Sequence, residues 1–155
     1  MTTPPSPTPG ELRELLLAGA TNNGGLNDQA AMHLLLFTEL PDTARFARHV
    51  DVDTTWAPGG GVRVARIRDW DVLIADLDLR LSGTEERFLA IAASFAAGRP
   101  ADLSAVVTNS LGWAHARRVA EAVLIATETT ALLAIGDTAK LGDLKALHDT
   151  LSNGR

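Results

Sequence analysis

A mainly α-helical fold, a compact bundle of about six to seven helices with at most a small two-stranded β element, is what this 155-residue sequence predicts. Three observations predict it. Apolar side chains recur three and four residues apart over most of the chain, the spacing that puts them on one face of a helix. Thr8 with Glu11, and Ser82 with Glu85, form hydroxyl-x-x-carboxylate capping boxes just ahead of apolar runs. Alanine is abundant while aromatic residues make up only 5%, which favours close-packed helices over aromatic-rich strands. A chain of this length buries roughly 70% of its unfolded surface and so can hold a core without disulfides or metal.

Taken in order, residues 1–7 hold three prolines among serine and threonine and read as a solvated, disordered leader; residues 8–155 then read as a single helical domain. Thr8-Pro9-Gly10-Glu11 starts a first helix, Leu12, Leu15 and Leu16 supply its stripe, and Gly19 is placed to close it. After the loop Thr21–Gly25, Asn27 or Asp28 caps a second helix to about Leu40, apolar nearly all round and therefore central. Pro41 ends it and opens a third, on which Phe46, Ala47 and Val50 share a face. Trp56 to Gly61 is a bend, and the β-branched run Val62–Ile67 a short strand. Between Asp69 and Leu81 a helical arc (Trp70, Leu73, Ile74, Leu77, Leu81) competes with strand alternation at 76–81; helix is preferred for the first part.

Ser82-Gly83-Thr84-Glu85 caps a helix carrying Phe88, Leu89, Ile91, Ala92 and Phe95, stopped by Gly98 and Pro100. Asp102 caps a short helix with Leu103, Val106 and Val107. A longer helix begins near Trp113 and directs Ala116, Val119, Ala120, Val123 and Leu124 inward. Thr129–Ile135 reads either as a strand pairing with the earlier one or as more helix. Thr138 caps a last helix with Leu141, Leu144, Leu147 and Leu151, ended at Asn153-Gly154. The stretch from Leu81-Ser82-Gly83-Thr84-Glu85 through Leu89–Phe95 and Asp102-Leu103 to Arg117-Arg118-Val119 resembles uncharacterised proteins of high-GC actinobacteria; the resemblance covers the C-terminal half and implies no activity.

Composition removes several functions. There is no cysteine, so disulfides, thiol catalysis and thiolate zinc sites are excluded. The N-terminus lacks the basic end and apolar run of a signal peptide, and no uncharged apolar stretch reaches the ~20 residues of a membrane span, which makes the cytoplasm the default compartment and predicts no membrane partner. A net charge of −5 disfavours broad nucleic-acid binding without forbidding a local basic face.

Chemistry-bearing clusters are few. Asp51/Asp53, Asp69/Asp71 and Asp76/Asp78 form three Asp-x-Asp pairs of the kind hard cations use, and metal-dependent hydrolysis is the enzymatic reading they allow. An EF-hand fails because Trp56 stands where the loop needs glycine, and a sugar-nucleotide transferase lacks its nucleotide-binding domain. Set about an apolar helical stripe, the aspartates read as its solvated border. His33, His49, His115 and His148 show no metal-ligand spacing, and His33 reads as a satisfied, partly buried imidazole. The serines sit in no nucleophile elbow. Leu81–Glu85 lacks the phosphate loop an ABC-type signature requires, and Gly59-Gly60-Gly61 lacks the lysine. No catalytic, cofactor-binding or metal-ligating residue is therefore assigned, and no cofactor is expected.

Two functions remain. The leading one is a non-enzymatic helical domain that contacts another protein or its own copies, with the C-terminal leucine helix suited to lying in a groove unless it packs on its own core. The alternative is a DNA-binding regulator in which 82–128 forms a helix-turn-helix-like unit, with Trp113, His115, Arg117 and Arg118 at the start of the recognition helix. Against that stands the i,i+4 spacing of Arg117 and Glu121, which predicts a local ion pair.

Overall fold

The computed structural model describes residues 7–102, 104 and 112–153. Among these are seven α-helices and one two-stranded antiparallel sheet, which packs on α1. Helices α1 (Pro9–Asn22) and α2 (Leu26–Leu35) lead through a 3-10 turn (Leu40–Asp42) and the single-turn α3 (Ala44–Ala47) to strands β1 (Val50–Ala57) and β2 (Gly60–Ile67). Then come α4 (Trp70–Ala75), a 3-10 turn (Leu77–Leu79), α5 (Gly83–Ala97), α6 (Trp113–Ala126) and α7 (Ala139–Asn153). The mainly α fold with a small β element stands. No described helix is long and apolar enough to cross a membrane. The expected leader falls, up to residue 6, outside the described residues; so does the helix expected to follow Asp102, although Asp102 Oδ1 accepts the Ser104 N–H at 2.9 Å.

Helix α2 is the hub. Its Ala30, Ala31, Leu34 and Leu35 are buried against Leu12 and Leu16 of α1, Phe88, Leu89 and Ala92 of α5, and Ala122 of α6. Both capping boxes form: Thr8 with Glu11, and Ser82 with Glu85. Gly98 ends α5 with φ 64°, the left-handed geometry a glycine accepts without penalty.

Several expected boundaries move. Gly19 does not close α1, which runs to Asn22; it lies where a side chain would meet the Ala65 carbonyl of β2. The second helix stops at Leu35, not Leu40, and the chain tightens into i→i+3 turns (Phe37 N to Leu34 O, Thr38 N to Leu35 O, both 3.1 Å). Arg13 of α1 takes the carbonyls just beyond the helix end, Nη1 donating to Leu36 O and Nη2 to Thr38 O, both at 2.7 Å. The same helix starts at Leu26 with Gly25 as its cap rather than Asn27 or Asp28, and Asp28, in the first turn, accepts the Gly25 N–H at 3.0 Å. The third helix is a single turn. Val50 opens β1 instead of continuing it, and the bend shortens to Pro58-Gly59. The partner of β2 is therefore β1 and not Thr129–Ile135, which is turn and loop. The 69–81 segment is helix first, as preferred, then a 3-10 turn.

The hairpin has one covered and one bare edge. Arg68 N donates to His49 O at 2.9 Å, so odd-numbered β1 residues bond to β2 and even-numbered ones turn their amides outward. Opposite Val52, Ala65 turns its carbonyl the other way, onto α1 at Gly19. On the bare side the Thr54 N–H is taken by the carboxylate of Asp53 at 2.7 Å.

Candidate functional site

The four residues singled out for the alternative reading all lie on the first two turns of α6, whose cap is Gly112. The face that α6 turns inward is set by α2 and α5. It runs through His115, Arg118, Val119, Ala122, Ile125 and Ala126, with Ala122 fully buried. The inward stripe expected at Ala116, Ala120 and Val123 is instead exposed, because the helix is rotated so that small Ala122, not Ala120, meets the hub.

His115 points into the body. Its ring stands edge-on to Phe37 and Phe88 with centroids 5.3 Å away in each case, the arrangement in which a ring edge meets a π-face. Arg118 lies with its guanidinium carbon 4.8 Å from the Phe37 centroid, and its Nη1 is 3.1 Å from His33 Nε2. His33 Nε2 is in turn 2.9 Å from Glu121 Oε2. A carboxylate only accepts, so this nitrogen carries the proton donated to Glu121. Arg117 donates to Glu121 at 2.7 Å and to Asp137 at 3.1 Å, and Lys145 of α7 also bonds Asp137. Burial works against ionisation of Glu121, but the hydrogen bonds and charges of Arg117 and His33 outweigh it and hold the carboxyl below its usual range.

Trp113, His115, Arg117 and Arg118 thus do not form a common cationic face. One ring is packed inward, Arg117 is hydrogen-bonded to Glu121 and Arg118 lies 3.6 Å from it, and the Lys145 ammonium lies over the Trp113 ring at 4.3 Å. The predicted Arg117–Glu121 pair is present. Sequence reasoning missed Glu121 as the centre of the cluster, since His33 is 88 positions away and nothing local joins them.

The Asp-x-Asp pairs separate into individual tasks. Asp51 bonds Arg68, Asp53 its neighbour's amide, Asp69 the first amides of α4, Asp71 the Arg99 side chain, and Asp76 both His49 and the Asp78 amide. His49, whose Nε2 lies 2.6 Å from Asp76 Oδ2, therefore ties the end of α3 to the turn after α4.

What α6 leaves uncovered is apolar. Trp113 is 51% exposed and Val123 47%, with exposed Ala116 and Ala120 between them on the same side of the helix. Leu132 and Leu133 of the following loop are 82% and 59% exposed, and Leu144 of α7 54%. No side chain described on α7 belongs to the core. Comparison with family models, with curated proteins and with solved structures gave no match.

Proposed function

We propose that this chain is a non-enzymatic interaction domain that docks a protein, either a partner or a second copy of itself, through the outward surface of α6, the loop behind it and α7. The observation that carries the reading is the group of exposed apolar side chains there: Trp113 and Val123 on α6, whose other side packs on the core, Leu132 and Leu133 in the loop, and Leu144 on α7. Isolated exposed apolar residues need no explanation; five of them on α6, its loop and α7 are what the reading rests on, and a contact surface requires them to lie together in space. Arg117, Asp137 and Lys145 hold the loop and α7 to α6 by ion pairs, so the surface is presented before any partner arrives, which lowers the ordering cost of binding.

The test joins size-exclusion chromatography with light scattering over a wide concentration range to an affinity capture from the native cell. The expected result is a concentration-dependent dimer or a specific captured protein, lost in a Val123→Glu, Leu144→Glu variant that keeps its helical signal. A strict monomer that captures nothing overturns the reading.

A further inference from the structure

A second feature lies between the hairpin and the turn that joins α1 to α2. There a cleft of about 240 Å³ is lined below by Leu16, Met32, Val64 and Trp70 and at its mouth by Asp28, Asp53 and Arg66. An apolar floor with a few convergent polar groups is the usual form of a small-molecule site, and this volume lies just under the roughly 300–1,000 Å³ of sites for drug-sized ligands.

The charges at the mouth are incompletely used. Arg66 stands directly opposite Asp51 in the strand register, where a cross-strand ion pair is expected, but Asp51 is taken by Arg68 at 2.8 Å. Among the described residues Arg66 makes no hydrogen bond or ion pair, although its charge also acts on Asp51 at longer range. Asp28 and Asp53 each hold one backbone amide, Gly25 N at 3.0 Å and Thr54 N at 2.7 Å, through one oxygen and keep the other oxygen unbonded. Asp53 faces Val64 in the register, two places from Arg66, so the two are diagonal neighbours on one face of the sheet. Such positions lie about 7–8 Å apart, a separation that one small molecule bearing both an anion and a cation can bridge.

We propose that this cleft binds a free α-amino acid with an apolar side chain. Its carboxylate meets the guanidinium of Arg66, its ammonium meets the free oxygens of Asp28 and Asp53, and its side chain lies on Met32, Leu16 and Trp70. Charge-assisted hydrogen bonds are the strong ones, and a zwitterion is the small ligand that satisfies both signs at once. The site involves none of the α6–α7 surface, so it stands or falls separately from the docking proposal.

The experiment is a titration of the full chain with L-leucine, L-methionine and L-phenylalanine, each beside its amide and its des-amino acid, followed by calorimetry and by the Trp70 indole resonance. At least one amino acid is expected to bind and to shift that resonance, with its amide and its des-amino acid each weaker by about tenfold or more. Arg66→Ala is expected to weaken the amino acid by a similar factor and leave the amide unchanged; Asp53→Asn, which still offers Thr54 an acceptor, is expected to weaken the amino acid and leave the des-amino acid unchanged. Absence of binding by all three up to millimolar concentration, equal binding of amino acid and amide, or binding that leaves the Trp70 signal unmoved overturns the proposal.

Discussion

Gly19 of α1 meets the backbone of Ala65 in β2 so closely that a Cβ on Gly19 would overlap the Ala65 carbonyl oxygen. Backbone rather than a flexible side chain occupies that space, so helix and strand have to separate if a methyl group is added. Gly19→Ala is expected to destabilise the fold by about 2–4 kcal/mol, despite the better helix propensity of alanine. Gly10, in the same helix with nothing near its Cβ position, is the control. Gly10→Ala is expected to be neutral or stabilising by up to about 1 kcal/mol. Urea unfolding of the two variants checks both.

Arg13 is the side chain that joins α1 to the end of α2. Its guanidinium makes two bonds of 2.6 Å to the Asp42 carboxylate besides its two bonds to carbonyls. Lysine has neither the planar fork nor enough donors in the right directions to replace these four contacts. Arg13→Lys is expected to cost about 1–3 kcal/mol by thermal or urea unfolding. A variant as stable as the parent would show that the fork contributes nothing beyond its charge.

Glu121 fixes a pH dependence. Its carboxyl is held below the usual range in the folded state, so the folded protein favours the ionised form more than the unfolded chain does. The associated stability is fully present above the unfolded glutamate pKa and is lost as pH falls through the lower folded value. Glu121→Gln is therefore expected to lower stability at neutral pH, by about 1–2 kcal/mol after allowance for partial exposure. It is also expected to flatten the acid limb of the stability profile below about pH 4.5. Urea midpoints measured from pH 7 down to pH 3 for both proteins test it, and parallel profiles would refute it.

Asp42 adds to the same limb, since the Arg13 hydrogen bonds hold its carboxyl low. Arg13→Lys is expected to weaken that contribution, and Asp42→Asn to remove it from the pH profile, leaving the parts of Glu121 and of the other lowered carboxyls, Asp51, Asp71, Asp76 and Asp137.

Arg117 and Arg118 distinguish structure from nucleic-acid recognition. Both are paired within the molecule, so replacing both by alanine is expected to lower stability only slightly, as solvent-screened ion pairs do. Gel-shift at two salt concentrations is expected to give no retarded band with the parent protein. A band that the double variant loses would move the DNA-binding reading ahead of the docking one.

Features that depend on a few adjacent residues were legible in the sequence: both capping boxes, the Gly98 stop, the Arg117–Glu121 pair and the Thr138 cap, whose Oγ1 accepts the Leu141 N–H at 3.3 Å. Features set by packing were not. The rotation of α6 depends on which small residue fits α2, and Ala116, Ala120 and Ala122 are indistinguishable by composition. Strand β1 did carry a signal, the alternation Val50-Asp51-Val52-Asp53 before Pro58-Gly59, but its aspartates also matched a carboxylate-pair pattern and its first valine fitted the preceding helical face. The Glu121 cluster joins α2 to α6 through side chains remote in sequence, so only the folded chain brings it together.

The Asp53 carboxylate seated on the Thr54 amide has a consequence for how copies of this molecule meet one another. An unpaired strand border is a template on which a neighbouring chain can crystallise its own backbone, and runaway ribbon growth follows when nothing obstructs it. Here the obstruction is built from the strand itself, a negative charge parked on the very donor an incoming strand would need. At Thr54 the hairpin therefore resists pairing with a neighbouring strand, a local brake on self-templated fibre growth.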